Sequence, residues 1–178
     1  MPRICVYSGS SLGTAPAYAE AARTFGRSCA RRGLGVVYGG GSTGLMGELA
    51  DAALVAGGEV IGVIPQALLE RELAHRHVTT LITVDSMHDR KRRMADLADG
   101  FAALPGGIGT LEELVEILTW RQLGLHTKPV GLLDVAGFYA PLVALLDHQR
   151  AEGFLAAAHR DLLVVEQDPD RLLDRLFP

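Results

Sequence analysis

The sequence predicts an α/β fold in which a parallel sheet is covered by helices on both faces. Three observations predict it. Short apolar runs alternate with helical patterns along the whole chain. The runs are mostly apolar rather than alternating with polar residues, as strands are when both their faces are buried. Glycine clusters where runs give way to helices; there are 21 in 178 residues, about 12% where roughly 7% is usual. Strands alternating with helices make right-handed crossovers, and so a parallel, doubly covered sheet.

The elements follow in order. Residues 4–7 form a strand and 15–32 an amphipathic helix. Residues 36–38 form a strand, followed by a glycine loop and a helix over 45–56. A strand over 60–64 ends at Pro65, and β-branched residues mark another over 78–84. A helix covers 87–98, a strand 101–104, and a second glycine loop opens a helix over 111–123. Strands at 130–133 and 162–165 are followed by helices over 138–152 and 169–176. No linker, repeat or low-complexity tract divides the chain, so residues 1–178 are expected to form one domain. In such sheets ligands bind beyond the carboxyl ends of the strands.

The net charge of −4 argues against a generic nucleic-acid binder. Only Lys91 and Lys128 accompany the 15 arginines. Cys5 and Cys29 have no metal-ligand spacing and are expected to be buried thiols. No signal peptide and no apolar run of about 18 residues is visible. The expectation is a soluble cytoplasmic protein with no nucleic-acid or membrane partner. The histidines, His75 and His77 among them, are expected to be exposed or capping, and no metal is expected.

Two loops invite a phosphate. Gly39, Gly41 and Gly44 meet GxGxxG between a strand and a helix, with Gly40 among them. Such a loop brings backbone N–H groups to an anion at the positive end of a helix. A nicotinamide dinucleotide also wants an acid after the next strand; Glu59, 20 residues on from Gly39, stands before it. The second loop is Pro105-Gly106-Gly107-Ile108-Gly109-Thr110. No lysine has Walker spacing. Two GxSxG matches, around Ser11 and Ser42, have no identifiable triad partners.

Two helices carry charge in telling places. Met87, Met94, Ala95, Leu97 and Ala98 form an apolar stripe, and Arg90 and Lys91 fall inside it. Cations there are costly unless paired or turned into an anion site. Arg92 and Arg93 face solvent, and Ser86 with Asp89 reads as a helix cap. In the next helix Leu111, Leu114, Val115 and Leu118 make the stripe. Thr110 and Glu113 have capping-box spacing; alternatively, Glu113 faces a ligand, where a carboxylate can stabilise an oxocarbenium-like transition state. Spacing alone leaves both readings open.

In this order the motifs resemble the LOG (Lonely Guy) family of cytokinin riboside 5′-monophosphate phosphoribohydrolases, relatives of which once carried the label lysine decarboxylase. PGGxGTxxE is met from Pro105 to Glu113, and MHxRKxxM by Met87, His88, Arg90, Lys91 and Met94. GGGxxGLMG is met from Gly39 to Gly47, and Ser8-Gly9-Ser10 stands where many relatives have Cys-Gly-Ser. The resemblance runs from Ile4 to about Leu145. It implies a Rossmann-like, doubly wound nucleotide-binding domain, a homodimer and no cofactor. The implied reaction hydrolyses the N-glycosidic bond of a nucleoside 5′-monophosphate to a free adenine-type base and ribose 5-phosphate. Arg90 and Glu113 match the catalytic pair. Gly107, Ile108, Gly109, Thr110, Leu111 and Glu112 match the nucleotide-binding loop; Glu72, Lys91 and Thr119 match further binding positions. Ile108 stands where many plant members carry an aromatic, which bears on base specificity. Rival readings are an AMP nucleosidase of the same fold, a nucleotide carrier without catalysis and a nicotinamide-dependent oxidoreductase.

Overall fold

The computed structural model describes residues 1–69 and 73–178. Seven parallel strands among them form one sheet: β1 (Arg3–Tyr7), β2 (Gly35–Tyr38), β3 (Val60–Pro65), β4 (Thr80–Val84), β5 (Gly100–Ala103), β6 (Val130–Leu133) and β7 (Leu163–Glu166). Their spatial order is β4-β3-β2-β1-β5-β6-β7. The helices are α1 (Pro16–Arg31), α2 (Gly44–Val55), α3 (Met87–Leu97), α4 (Ile108–Gln122), α5 (Ala140–Ala151), α6 (Ala157–Arg160) and α7 (Pro169–Leu176). No helix among the described residues is long and apolar enough to cross a membrane.

The two-residue period of a strand splits the core into two layers. Ile4 and Val6 of β1 join Val36, Tyr38, Ala102 and Leu104 beneath α1, α2 and α7, where Phe25, Leu49 and Leu172 are buried. Cys5 and Tyr7 join Val37, Val63, Phe101 and Ala103 beneath α3 and α4, where Met94, Leu114 and Ile117 are buried. Truncating Phe25 or Phe101 to alanine should cost about 3–5 kcal/mol through lost burial and the cavity left behind. Both cysteines are buried free thiols, and burial pushes each thiol well above its ordinary range.

The strand order places the site. From β1 the chain winds outward through β2 and β3 to β4, then returns to the other side of β1 with β5. The helix after β1 covers one face, and the helix after β5 covers the other. Their divergence opens a crevice at the carboxyl ends of β1 and β5, the switch point where open sheets of this kind bind ligands. The β1–β5 pairing continues past the strands: Leu104 N–H donates to the Tyr7 carbonyl at 2.9 Å, and Gly9 N–H to the Pro105 carbonyl at 3.0 Å.

Several boundaries differ from the sequence reading. β4 starts at Thr80 rather than 78, and two of its five residues are exposed on this sheet edge. A one-turn helix at 135–137, with Ala136 at φ +52°, delays α5 to Ala140. The short α6 has no signal in the apolar pattern. Most consequential, α4 begins at Ile108, one turn before the expected start, with Gly107 as its N-cap.

Candidate active site

Arg90 is the fourth residue of α3, and Ser86 caps that helix as expected. The Ser86 hydroxyl accepts from Asp89 N–H at 3.1 Å and donates to the Asp89 carboxylate at 2.6 Å. Arg92 and Arg93 face solvent. Arg90 turns inward and is only 5% exposed. Its Nε donates to the Val63 carbonyl at 3.1 Å and its Nη2 to the Gly39 carbonyl at 2.7 Å. These carbonyls belong to β3 and the turn after β2, so two strand ends grip the guanidinium. Charge-assisted bonds of this kind offset part of the cost of burying the cation.

Lys91 goes elsewhere. It pairs with Glu112 at 2.5 Å and Glu116 at 3.0 Å, linking α3 to α4 outside the cleft that Arg90 lines. Burial would lower the Lys91 pKa, but the two carboxylates outweigh it and hold it above the ordinary lysine range. Of the two stripe cations, only Arg90 therefore faces the cleft.

The early start of α4 changes the reading of its first turn. Thr110 lies inside the helix and is 5% exposed, so it is not the N-cap, and the capping-box reading of Thr110 with Glu113 falls. The inward line is Thr110, Leu114 and Ile117, while Val115, expected in the stripe, is 47% exposed. The amides of Ile108, Gly109 and Thr110 belong to the first turn, where helical backbone leaves N–H groups without partners in the helix. No carboxylate sits in that turn to neutralise its positive end.

Arg90, Glu113 and this helix start meet in one cleft of about 320 Å³ at the switch point. Val6, Tyr7, Ser8 and Gly9 form its floor; Gly39, Met46, Met87 and Met94 wall one side. Gly107, Ile108, Gly109, Thr110 and Glu112 complete the other side, with Ile108 at the mouth and 83% exposed. A smaller chamber of about 220 Å³ adjoins it past Gly9, Ser10 and Gly107, and is lined by Leu12, Tyr18, Leu45 and Phe138.

The other candidates are placed differently. Leu111 is half-buried outside the cleft lining. Thr119 is exposed further along α4 and donates to the Val115 carbonyl at 2.7 Å. Glu72 lies outside the described residues. Of the glycines in the first loop only Gly39 touches the cleft. Gly40, Gly41 and Gly44 support neighbouring chain instead: the Gly40 carbonyl accepts from His75 N–H at 2.8 Å, and Gly41 bridges to Ala74. His75 is not exposed as expected; it is 6% exposed, with Nε2 2.9 Å from Asp51. Sequence reasoning missed Ser8 and Met46 as lining residues. For Ser8 the signal was available, since it directly follows the central strand.

Fold and site together define a Rossmann-like α/β chain whose cleft suits a nucleotide-sized anion. The solved molybdenum cofactor carrier protein of Chlamydomonas reinhardtii is similar in structure, with a TM-score of 0.74 and 25% identity, covering 98% of this chain and 97% of that one. A family model described as "Possible lysine decarboxylase" matches residues 46–176, beyond the expected end of the resemblance. The cytokinin riboside 5′-monophosphate phosphoribohydrolase LOG of Oryza sativa subsp. japonica is 50% identical over 91% of this chain and 67% of its own length. LOG7 of Arabidopsis thaliana, of the same description, is 47% identical over 98% of this chain and 80% of its own. The chain belongs to the LOG family.

Proposed function

We propose that this chain hydrolyses the N-glycosidic bond of cytokinin riboside 5′-monophosphates, N6-substituted AMP, to the free cytokinin base and ribose 5-phosphate. The observation that carries the reading is the convergence of Arg90, Glu113 and the start of α4 in one cleft, in a chain half identical to a phosphoribohydrolase. The first-turn amides of α4 and the positive helix end hold the 5′-phosphate. The sugar then extends toward Glu113, one turn further on. As the bond from the anomeric carbon to the base nitrogen breaks, its electron pair leaves with the base and positive charge grows on the sugar. The Glu113 carboxylate stabilises that charge and orients the water that adds to the anomeric carbon, and the proton this water loses ends on the nitrogen of the departing base. Arg90, held by two strand-end carbonyls, orients the ligand or the carboxylate.

The family label does not describe the chemistry of this cleft. A decarboxylase acting through a Schiff base needs a lysine at the ligand, and neither lysine lines the cleft. Lys91 is taken up by Glu112 and Glu116, and Lys128 donates to the Ala95 carbonyl at 2.8 Å. A homodimer is part of the proposal, supported by exposed Ile108, Val115 and Leu123 along α4; light scattering tests it. A cytoplasmic setting is supported by the two buried free thiols.

The deciding experiment incubates the purified protein with N6-isopentenyl-AMP and with AMP and separates the products by chromatography. Free base and ribose 5-phosphate should form in equal amounts, faster from the N6-substituted nucleotide. Glu113→Gln should still bind nucleotide while base release falls about a hundredfold or more. Substantial turnover by that variant would remove Glu113 from the role given to it.

A further inference from the structure

Ser8 is the first residue beyond β1, on the floor of the cleft beside Tyr7, Gly9 and Arg90. It is 8% exposed, and its Oγ is buried without a hydrogen-bond partner. Among the described residues one other buried side-chain atom is in that position, the Tyr38 hydroxyl, and Tyr38 does not line the cleft. An unsatisfied buried hydroxyl is costly, so such groups call for an explanation. The neighbouring hydroxyls differ: Ser10 is exposed at the rim, and the Tyr7 hydroxyl interacts with Cys5.

We propose that the Ser8 hydroxyl, which has almost no accessible surface as folded, turns about χ1 to bond a ribose hydroxyl of the bound nucleotide, so that the cleft selects ribonucleotides over their deoxy counterparts. The inference rests on the nucleoside-monophosphate reading above. A serine hydroxyl both donates and accepts, which matches a sugar hydroxyl. Phosphate oxygens only accept, and the amides at the start of α4 already serve them. With the phosphate at that helix start and the anomeric carbon near Glu113, the sugar crosses the middle of the cleft, above the β1 end. A buried polar group satisfied only by the substrate penalises an analogue that lacks the matching group.

The test measures kcat/KM for AMP, 2′-deoxy-AMP and 3′-deoxy-AMP with wild type and Ser8→Ala, alongside melting temperature. Wild type should favour AMP over one deoxy analogue by about tenfold or more, the worth of one hydrogen bond. In Ser8→Ala that preference should collapse, through loss of activity on AMP and not on the analogue. Its melting temperature should hold or rise, because an orphaned hydroxyl is removed. A preference equal in both proteins overturns the proposal, as does a lowered melting temperature with the preference intact. If Ser8→Ala does not fold, Ser8→Cys, close in shape but a weak donor, carries the same comparison. If wild type releases no base from any nucleotide, the enzymatic reading fails; calorimetric binding of the same nucleotides then decides on Ser8.

Discussion

The two glycine loops rise on either side of β1, one after β2 and the other after β5, and they do opposite work. In the first, from Gly39 to Gly47, the glycines make room for other parts of the protein. A Cβ on Gly39 would overlap the Arg90 guanidinium, one on Gly44 the backbone of Ser10 and Ser11, and one on Gly47 the backbone of Ser42. In the second, Gly107 and Gly109 have nothing within 4 Å of a Cβ; their bareness faces the cleft. Gly106 is the exception, packed against Thr110 and the amide of Gly9. The glycine pattern is alike in both loops. What separates the two is whether the missing side chain leaves space for protein or for the open cleft.

That contrast predicts graded outcomes. Gly44→Ala meets backbone on one side and must hold φ near +61°, so it should destabilise the fold by about 3–5 kcal/mol in denaturant titrations. A stable Gly44→Ala would break the distinction between the loops. Gly39→Ala should fold less stably and push Arg90 aside, lowering kcat/KM about a hundredfold through misplacement alone. In the second loop Gly109→Ala should do the reverse. Helical residue 109 gains about 0.5–1 kcal/mol from alanine, while KM rises about tenfold as the methyl crowds the phosphate approach. The smallest effect belongs to the hydrogen-bonded pair behind the first loop: Asp51→Ala removes the partner of His75. It should cost under about 1 kcal/mol, because the Asp51 side chain is 68% exposed.

The sheet was legible in the sequence because six short apolar runs are what strands with buried faces require and a β-branched stretch marked the seventh, edge strand; each found its strand. The ends of elements were harder to read. Ile108, Gly109 and Thr110 look like loop by composition, yet they form the first turn of α4, with Gly107 as its N-cap. The buried face also runs through Thr110, Leu114 and Ile117 rather than through Leu111 and Val115. Arg90 stood out because a cation interrupted an apolar stripe. Lys91 carried the same signal and proved to serve an inter-helix ion pair, since its partners Glu112 and Glu116 lie more than 20 residues away in the chain. Ser8 was marked only by its place directly after the central strand; its meaning depends on a hydrogen bond the fold does not make.

Arg90 also fastens the carbonyl of Val63 in β3 to that of Gly39 beyond β2. The residue assigned to orient the ligand is thus a rivet between two strand tips. An inactive Arg90→Ala protein would not distinguish lost chemistry from a loosened sheet, and Arg90→Lys, lacking the fork, would not hold both carbonyls. A folded but inactive reference for ligand capture or crystallisation is better made by Glu113→Gln, which keeps the side chain's size and lies on α4.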